Sequence, residues 1–233
     1  MPDNVCQKCD NSGYIAVEKE GIRNFKSYCD CAVGQQERQD RWHDKLKDAG
    51  ILKEYWDLHF GNFDAQNDFS RQMIFRRDVE FYLKNIDEKR REGLLWVIFG
   101  YPGTGKTLGA SLILKQALKK DYTVKYTIWT DLTDEIFDKD EQLVKRLREV
   151  DFLVIDDLGR DKISKESRFA EDLLEKIIKH RYSNKLPTLL ISSIEYTELQ
   201  RRFPVLPSLI GTRNISFVEG INKRIMSRDE PTK

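Results

Sequence analysis

An α/β fold, built on a parallel sheet covered by helices on both faces, is predicted by three observations. From residue 94 onward, short apolar runs alternate with amphipathic helical stretches. One strand–helix junction reads Gly100-Tyr101-Pro102-Gly103-Thr104-Gly105-Lys106-Thr107, a full match to the phosphate-binding pattern G-x-x-x-x-G-K-[ST]. A later apolar run, Phe152-Leu153-Val154-Ile155, ends in paired acids, Asp156-Asp157. The N-terminus differs in character, which divides the chain into a small module over residues 1–50 and a core over residues 51–233.

Composition narrows the possibilities. A chain of 233 residues, 39% hydrophobic and 34% charged, can bury one sizeable core plus an appendage beneath a highly charged surface. Net charge is +1, so any nucleic-acid surface must be local rather than global. No apolar run approaches the roughly 20 residues of a membrane span, and residues 1–20 lack a secretory apolar region. The expectation is a cytoplasmic protein with no membrane partner.

All four cysteines lie near the start, at Cys6, Cys9, Cys29 and Cys31. In a reducing compartment such clustering favours metal ligation over disulfides. Cys-x-x-Cys and Cys-x-Cys bracket a hairpin-sized segment with turn signals at Asn11-Ser12-Gly13 and Glu20-Gly21. Four thiolates suit a closed, structural Zn²⁺ site. His43 is an alternative ligand, and reduced free thiols are the alternative to a metal. Tyr14 to Val17 reads as a small strand.

The remaining elements follow in order. Residues 35–50 read as a charged surface helix with Trp42, Leu46 and Ala49 at helical spacing. Residues 51–69 are irregular and aromatic. Ser70 opens a helix carrying Ile74, Phe81, Tyr82 and Ile86, which ends at the charged run Glu88 to Glu92 and Gly93. Leu94 to Phe99 is the first core strand, and Leu108 to Lys120 the helix after the glycine loop. Tyr122 to Trp129 is the second strand. Residues 131–149 form a polar helical excursion marked by Leu132, Ile136, Phe137, Leu143 and Leu147. The third strand is Phe152 to Ile155. Phe169, Leu173, Leu174, Ile177 and Ile178 mark one face of a long helix. Thr188 to Ser192 is the fourth strand, Glu195 to Phe203 a short helix, and Ile215 to Val218 the last strand.

The chemistry of the glycine loop depends on its flanks. A strand before it and a helix after it aim backbone N–H groups and a helix N-terminus at a polyphosphate. Residues Gly100 through Leu108 are therefore the expected ATP cradle. Lys106 would reach the β- and γ-phosphates, and the Thr107 hydroxyl would ligate Mg²⁺. Asp156 would join the Mg²⁺ shell, and Asp157 would polarise the attacking water. Lys145, Arg146 and Arg148, with Phe137, Tyr126 and Trp129 nearby, could offer charge and stacking to a single strand; the alternative is a solvated helix face.

The two nucleotide motifs, with Phe-Leu-Val-Ile-Asp-Asp-Leu-Gly at residues 152–159, resemble the DnaC/DnaI-type helicase loaders and their IstB-like relatives among the AAA+ ATPases, bacterial or phage. The resemblance extends to Cys6-x-x-Cys9-x-Asn11-x-Gly13-Tyr14 and Cys29-x-Cys31, which are similar to the zinc module preceding the core in Gram-positive-type loaders. Ala49-Gly50-Ile51 through Phe60-Gly61-Asn62-Phe63 looks like the family's connector beside the adenine. The resemblance implies a P-loop AAA+ core without a C-terminal lid, slow ATP hydrolysis, head-to-tail self-association, and a replicative hexameric helicase and single-stranded DNA as partners. Ser193 matches the sensor position at which the family usually carries asparagine. The arginine acting in trans is assigned to Arg213, then Arg202. Alternatives are an IstB-like transposition helper on duplex DNA, a small-molecule kinase, and an ATP-binding adaptor with little hydrolysis.

Overall fold

The apolar runs pair into two separate sheets. The computed structural model describes residues 5–19, 22–63, 71–137, 141–161, 165–210 and 214–220. It divides into two compact units, Met1–Asp48 and Ala49–Lys233.

In the first unit, β1 (Tyr14–Lys19) pairs antiparallel with β2 (Ile22–Tyr28), Tyr14 opposite Tyr28, and the register shifts between Val17 and Lys19. The Glu20-Gly21 turn lies outside the described residues. β2 had no periodic apolar signal of its own, because its sequence, IRNFKSY, is mostly polar. Helix α1 (Ala32–Asp48) follows directly on Cys31. Gly34 is required there: a Cβ would lie 2.0 Å from the carbonyl oxygen of Cys29.

In the second unit, two 3₁₀ turns, Lys53–Tyr55 and Phe60–Asn62, precede helices α2 (Arg71–Lys84) and α3 (Ile86–Glu92). Then come β3 (Leu95–Gly100), α4 (Lys106–Lys119), β4 (Val124–Ile128), α5 (Trp129–Phe137), α6 (Glu141–Glu149) and β5 (Phe152–Asp156). The chain continues through α7 (Lys165–Ser183), β6 (Thr188–Ser192), α8 (Tyr196–Arg202), α9 (Leu206–Leu209) and β7 (Ile215–Val218). The strands order as β4-β5-β6-β3-β7, with every pairing parallel. β5 and β6 are buried throughout, as expected of parallel strands covered on both faces.

Strand alternation sorts the core into two layers. Leu95, Val97, Leu153, Ile155 and Leu190 join the cluster formed with Ala170, Leu174, Ile177 and Ile178 of α7. Trp96 instead meets Phe75 and stacks on Tyr82 of α2, ring centroids 5.7 Å apart in each case.

Some expected faces are corrected. On α2 the inward stripe is Phe75, Val79 and Tyr82, whereas Ile74 and Phe81 are 55% and 57% exposed. Two apolar stripes one residue apart compete on this helix, and the Phe75–Tyr82 stripe meets Trp96. Asn85 also breaks the expected single helix into α2 and α3. On α7, Phe169 is exposed, and Ala170 takes the inward place. Trp129 opens α5 rather than ending β4.

Candidate functional site

The strand order brings the phosphate loop and the acidic strand end together, with β6 between them. Ligands of parallel sheets bind beyond the carboxyl ends of the strands, and three such ends converge here. β3 ends at Gly100, and the loop runs through Gly103 and Gly105, both at positive φ, to the first residue of α4, Lys106. Thr104 fixes the loop from inside, its hydroxyl donating to the Tyr101 carbonyl at 2.8 Å. Gln72 Nε2 of α2 donates to the Thr104 carbonyl at 3.1 Å. The Lys106 ammonium is buried and donates to the carbonyls of Gly100 and Tyr101 at 2.8 and 2.7 Å. A lysine folded along its own loop is already aimed at the space that the loop encloses.

At the end of β5, Asp156 is buried and accepts hydrogen bonds from three directions. Tyr126 Oη donates to Oδ2 at 2.8 Å, the Asp157 amide donates to Oδ1 at 2.7 Å, and the Thr107 hydroxyl donates as well. Burial pushes its carboxyl above the ordinary value, against these hydrogen bonds, which hold it down. Thr107 and Asp156, the two expected Mg²⁺ ligands, are therefore in direct contact, and an oxygen donor set of this kind fits that ion. Asp157 follows at φ 52, turned out of the strand. Ser193 Oγ, just past β6, donates to Asp157 Oδ1 at 3.3 Å, and Arg160 Nη1 lies 3.3 Å from Asp157 Oδ2.

These groups line a cavity of about 350 Å³, within the range of small-molecule sites. Pro102, Gly103, Gly105, Lys106, Thr107 and Leu108 of the loop and the start of α4 line it, together with Asp156, Asp157, Arg160 and Ser193. Glu54, Tyr55, Leu58, Asn62 and Phe63 line it as well, so the connector residues do border the pocket. Tyr101 turns outward and meets Phe217. The sequence does not point to Gln72 or Arg160, nor to Tyr126 as a partner of Asp156. No local motif marks them, since each is identified only by what the fold sets against it.

Two expectations fail. Arg202 is 8% exposed, with its guanidinium bound within its own chain: Nε to Glu171 Oε1 at 2.6 Å, Nη2 to Asp161 Oδ1 at 2.7 Å, and Nη1 to the Gly159 carbonyl. These partners hold the side chain within its own chain. Arg213 lies outside the described residues. Tyr126 and Trp129 are both buried, and Trp129 Nε1 donates to Asp161 at 2.6 Å while its ring packs edge-on against Phe203. Neither can stack on a nucleic-acid base. Lys145 and Arg146 are exposed and Arg148 is partly buried; the Phe137 side chain lies outside the described residues.

The cysteines of the first unit converge. All four sulfurs lie within 4.8 Å of one another, and none is in a disulfide. Cys6–Cys29 and Cys9–Cys31 are 3.7 and 3.6 Å apart. A tetrahedron with Zn–S bonds of about 2.3 Å has sulfur–sulfur edges of about 3.8 Å, so the spacing fits a four-thiolate zinc site. The Gly34 amide, at the start of α1, donates to Cys31 Sγ at 3.5 Å and holds that thiol down to about 7.

A glycine loop opening a helix, an acidic strand end and a hydroxyl just past the strand between them define a P-loop nucleotide-binding domain. The chain belongs to the IstB-like ATP binding protein family, whose model matches residues 34–205. It is 28% identical over 179 residues to the replicative helicase loader DnaC of Escherichia coli (strain K12), covering 73% of this chain and 69% of that protein. With the replicative helicase loader DnaI of Bacillus subtilis (strain 168) it shares 25% identity over 182 residues, covering 76% of this chain and 57% of that protein. Across such loaders the match spans 57% to 69% of the relative's own length. Its fold is that of the crystal structure of the DnaC helicase loader, with a TM-score of 0.60 at 21% identity over 72% of this chain and all of that one. Among the described residues, no helix is long and apolar enough to cross a membrane.

Proposed function

We propose that this chain is an ATP-dependent loader of a replicative hexameric helicase, acting in the cytoplasm on single-stranded DNA. The observation that carries this reading is the convergence of Lys106, Thr107, Asp156, Asp157 and Ser193 around one cavity, in a chain whose relatives are helicase loaders.

The chemistry assigned to the site is hydrolysis of ATP. The amides of Gly103 to Thr107 and the N-terminus of α4 hold the phosphates, and Lys106 exchanges its two carbonyl partners for phosphate oxygens. Thr107 and Asp156 would hold Mg²⁺, which when bound neutralises phosphate charge. Water forms a bond to the γ-phosphorus as the bond to the β–γ bridging oxygen breaks, and Asp157 accepts the proton of the water. Ser193, already hydrogen-bonded to Asp157, orients that carboxylate. Arg160 pairs with Asp157 until a γ-phosphate competes for its guanidinium. Arg213 is assigned to the neighbouring subunit's site in a head-to-tail assembly. Slow turnover fits a switch that couples nucleotide state to assembly.

In this reading residues 1–50 form a zinc module that grips the helicase, and residues 51–233 form the ATPase. DNA contact rests on charge from Lys145 and Arg146, without the stacking once expected from Tyr126 and Trp129. Weak basic patches on separate subunits would bind a strand together only after ATP-driven assembly.

The test is anisotropy of a labelled single strand with the full chain, with and without ATP, across a salt series. ATP-dependent, salt-sensitive binding that Lys106→Ala abolishes is expected. Equal affinity with and without ATP contradicts the coupling, and a strong preference for duplex points to the transposition helper instead.

A further inference from the structure

The hydroxyl that reaches Asp156 from outside the two nucleotide motifs belongs to Tyr126, and the hydrolytic chemistry above does not use it. Tyr126 is 2% exposed, with its Oη 2.8 Å from Asp156 Oδ2. β4 and β5 pair in a register that sets Tyr126 opposite Val154 and Ile128 opposite Asp156. Strand side chains two positions apart share a face. The register neighbour of Asp156 on β4 is therefore apolar, and the longer Tyr126, two residues back on the same face, supplies the donor.

The backbone that carries Tyr126 is held along both edges. β5 pairs with it on one side. On the other, the Tyr126 amide donates to the Ala49 carbonyl at 2.7 Å. Gly50, at φ +79, packs there so closely that a Cβ would lie 2.4 Å from the Tyr126 carbonyl oxygen. Asp156 Oδ1 accepts the Asp157 amide at 2.7 Å, so each carboxylate oxygen has its own donor. Rotating the carboxylate about Cβ–Cγ would break both bonds. Hydrogen bonds of this kind orient a metal ligand, and losing one typically costs about 10–100-fold in metal affinity.

Tyr82 of α2 provides the contrast. It is also 2% exposed, yet its hydroxyl has no hydrogen-bond partner among the described residues. The pair separates the burial of a phenol ring from the aiming of its hydroxyl.

We propose that Tyr126 is a positioning residue for Mg²⁺, fixing the Asp156 carboxylate in the orientation in which it and Thr107 hold the ion of a bound nucleoside triphosphate. This rests on the ATP-site reading above. Tyr126 touches neither nucleotide nor ion; it acts through Asp156. A ring that serves only the core affects stability alone, whereas a positioning hydroxyl affects the part of ATP affinity that depends on Mg²⁺.

The experiment measures ATP affinity of the full chain by calorimetry, with Mg²⁺ and with EDTA, in wild type, Tyr126→Phe and Tyr82→Phe. In Tyr126→Phe the ratio of the two affinities is expected to fall by about tenfold, while affinity in EDTA changes less than twofold. Tyr82→Phe should keep the wild-type ratio, whatever it does to Tm. An unchanged ratio in Tyr126→Phe, an equal fall in both affinities, the same fall of the ratio in Tyr82→Phe, or a wild type indifferent to Mg²⁺ overturns the proposal. Should Tyr126→Phe not fold, meta-fluorotyrosine incorporated at residue 126 keeps both ring and hydroxyl. Its fluorine resonance should shift when Mg²⁺ is added to the ATP complex, and a resonance that stays in place overturns the proposal. A wild-type chain that binds ATP neither with Mg²⁺ nor with EDTA instead defeats the ATP-site reading itself.

Discussion

The ring of Phe63 lies directly over Gly105, so close that a Cβ on residue 105 would sit 2.5 Å from its Cε2 atom. Gly105 has φ +93, and it is the residue that opens α4. Connector and phosphate loop are therefore fitted to one another at the point where the helix N-terminus faces the cavity.

Gly105→Ala should consequently fail twice. Left-handed backbone costs a residue with a Cβ about 1–2 kcal/mol, and the methyl collides with Phe63. The expected outcome is a lowered Tm together with loss of ATP binding by calorimetry. Adding Phe63→Leu should recover part of the stability while ATP binding stays weak, because the backbone strain remains. Full recovery of binding in the double variant would show that the ring alone mattered.

Arg202→Met should destabilise the isolated chain by about 3–5 kcal/mol, since it leaves Glu171 and Asp161 buried without their cation. Urea denaturation at a concentration where the chain is monomeric checks this. An arginine acting in trans would leave monomer stability unchanged and lower only the ATPase rate of the assembly, so unaltered denaturation contradicts the cis assignment.

The fate of Arg202 shows where sequence reading stops. Strands β3, β5 and β6 were legible because fully buried parallel strands are continuous apolar runs. The phosphate loop and Asp156-Asp157 were legible because their chemistry is set by neighbours a few residues away. Arg202 looked like any basic residue at the end of a helix, and its partners Asp161 and Glu171 lie 41 and 31 residues distant. Tyr126 and Trp129 misled in the same way: an aromatic near basic residues can serve a ligand or a carboxylate. Only the fold shows that their polar atoms already serve Asp156 and Asp161. Ile74 and Phe81 differ from these, since on α2 the two stripes are equally apolar and the choice belongs to Trp96.

Trp129→Phe retains the buried ring and removes the N–H that reaches Asp161. Stability should fall by about 1–3 kcal/mol, as for a buried carboxylate losing a donor, with no change in single-strand affinity at equal folded fraction. Lys145→Gln with Arg146→Gln should do the reverse, leaving stability within about 0.5 kcal/mol and flattening the salt dependence of binding. A Trp129→Phe variant that folds normally yet loses DNA affinity would restore the stacking role denied to it here.

The cysteine cluster predicts about one Zn²⁺ per chain in protein purified without chelator, by elemental analysis. Chelation should melt the first unit, seen as loss of hydrogen-exchange protection in β1, β2 and α1, while α4 and the core sheet stay protected. Cys9→Ser should mimic chelation. Metal-free protein with an intact first unit would contradict the assignment.

The central claim is tested most directly by loading itself. A replicative hexameric helicase from the source cell, a closed circle of single-stranded DNA and the full chain are combined with ATP, and helicase retained on the circle is measured after gel filtration in high salt. The account predicts retention with the wild-type chain and ATP, little retention with Lys106→Ala, and a reduced turnover number but intact ATP binding with Asp157→Asn. Retention that is the same without the chain, or the same with Lys106→Ala as with wild type, would contradict it.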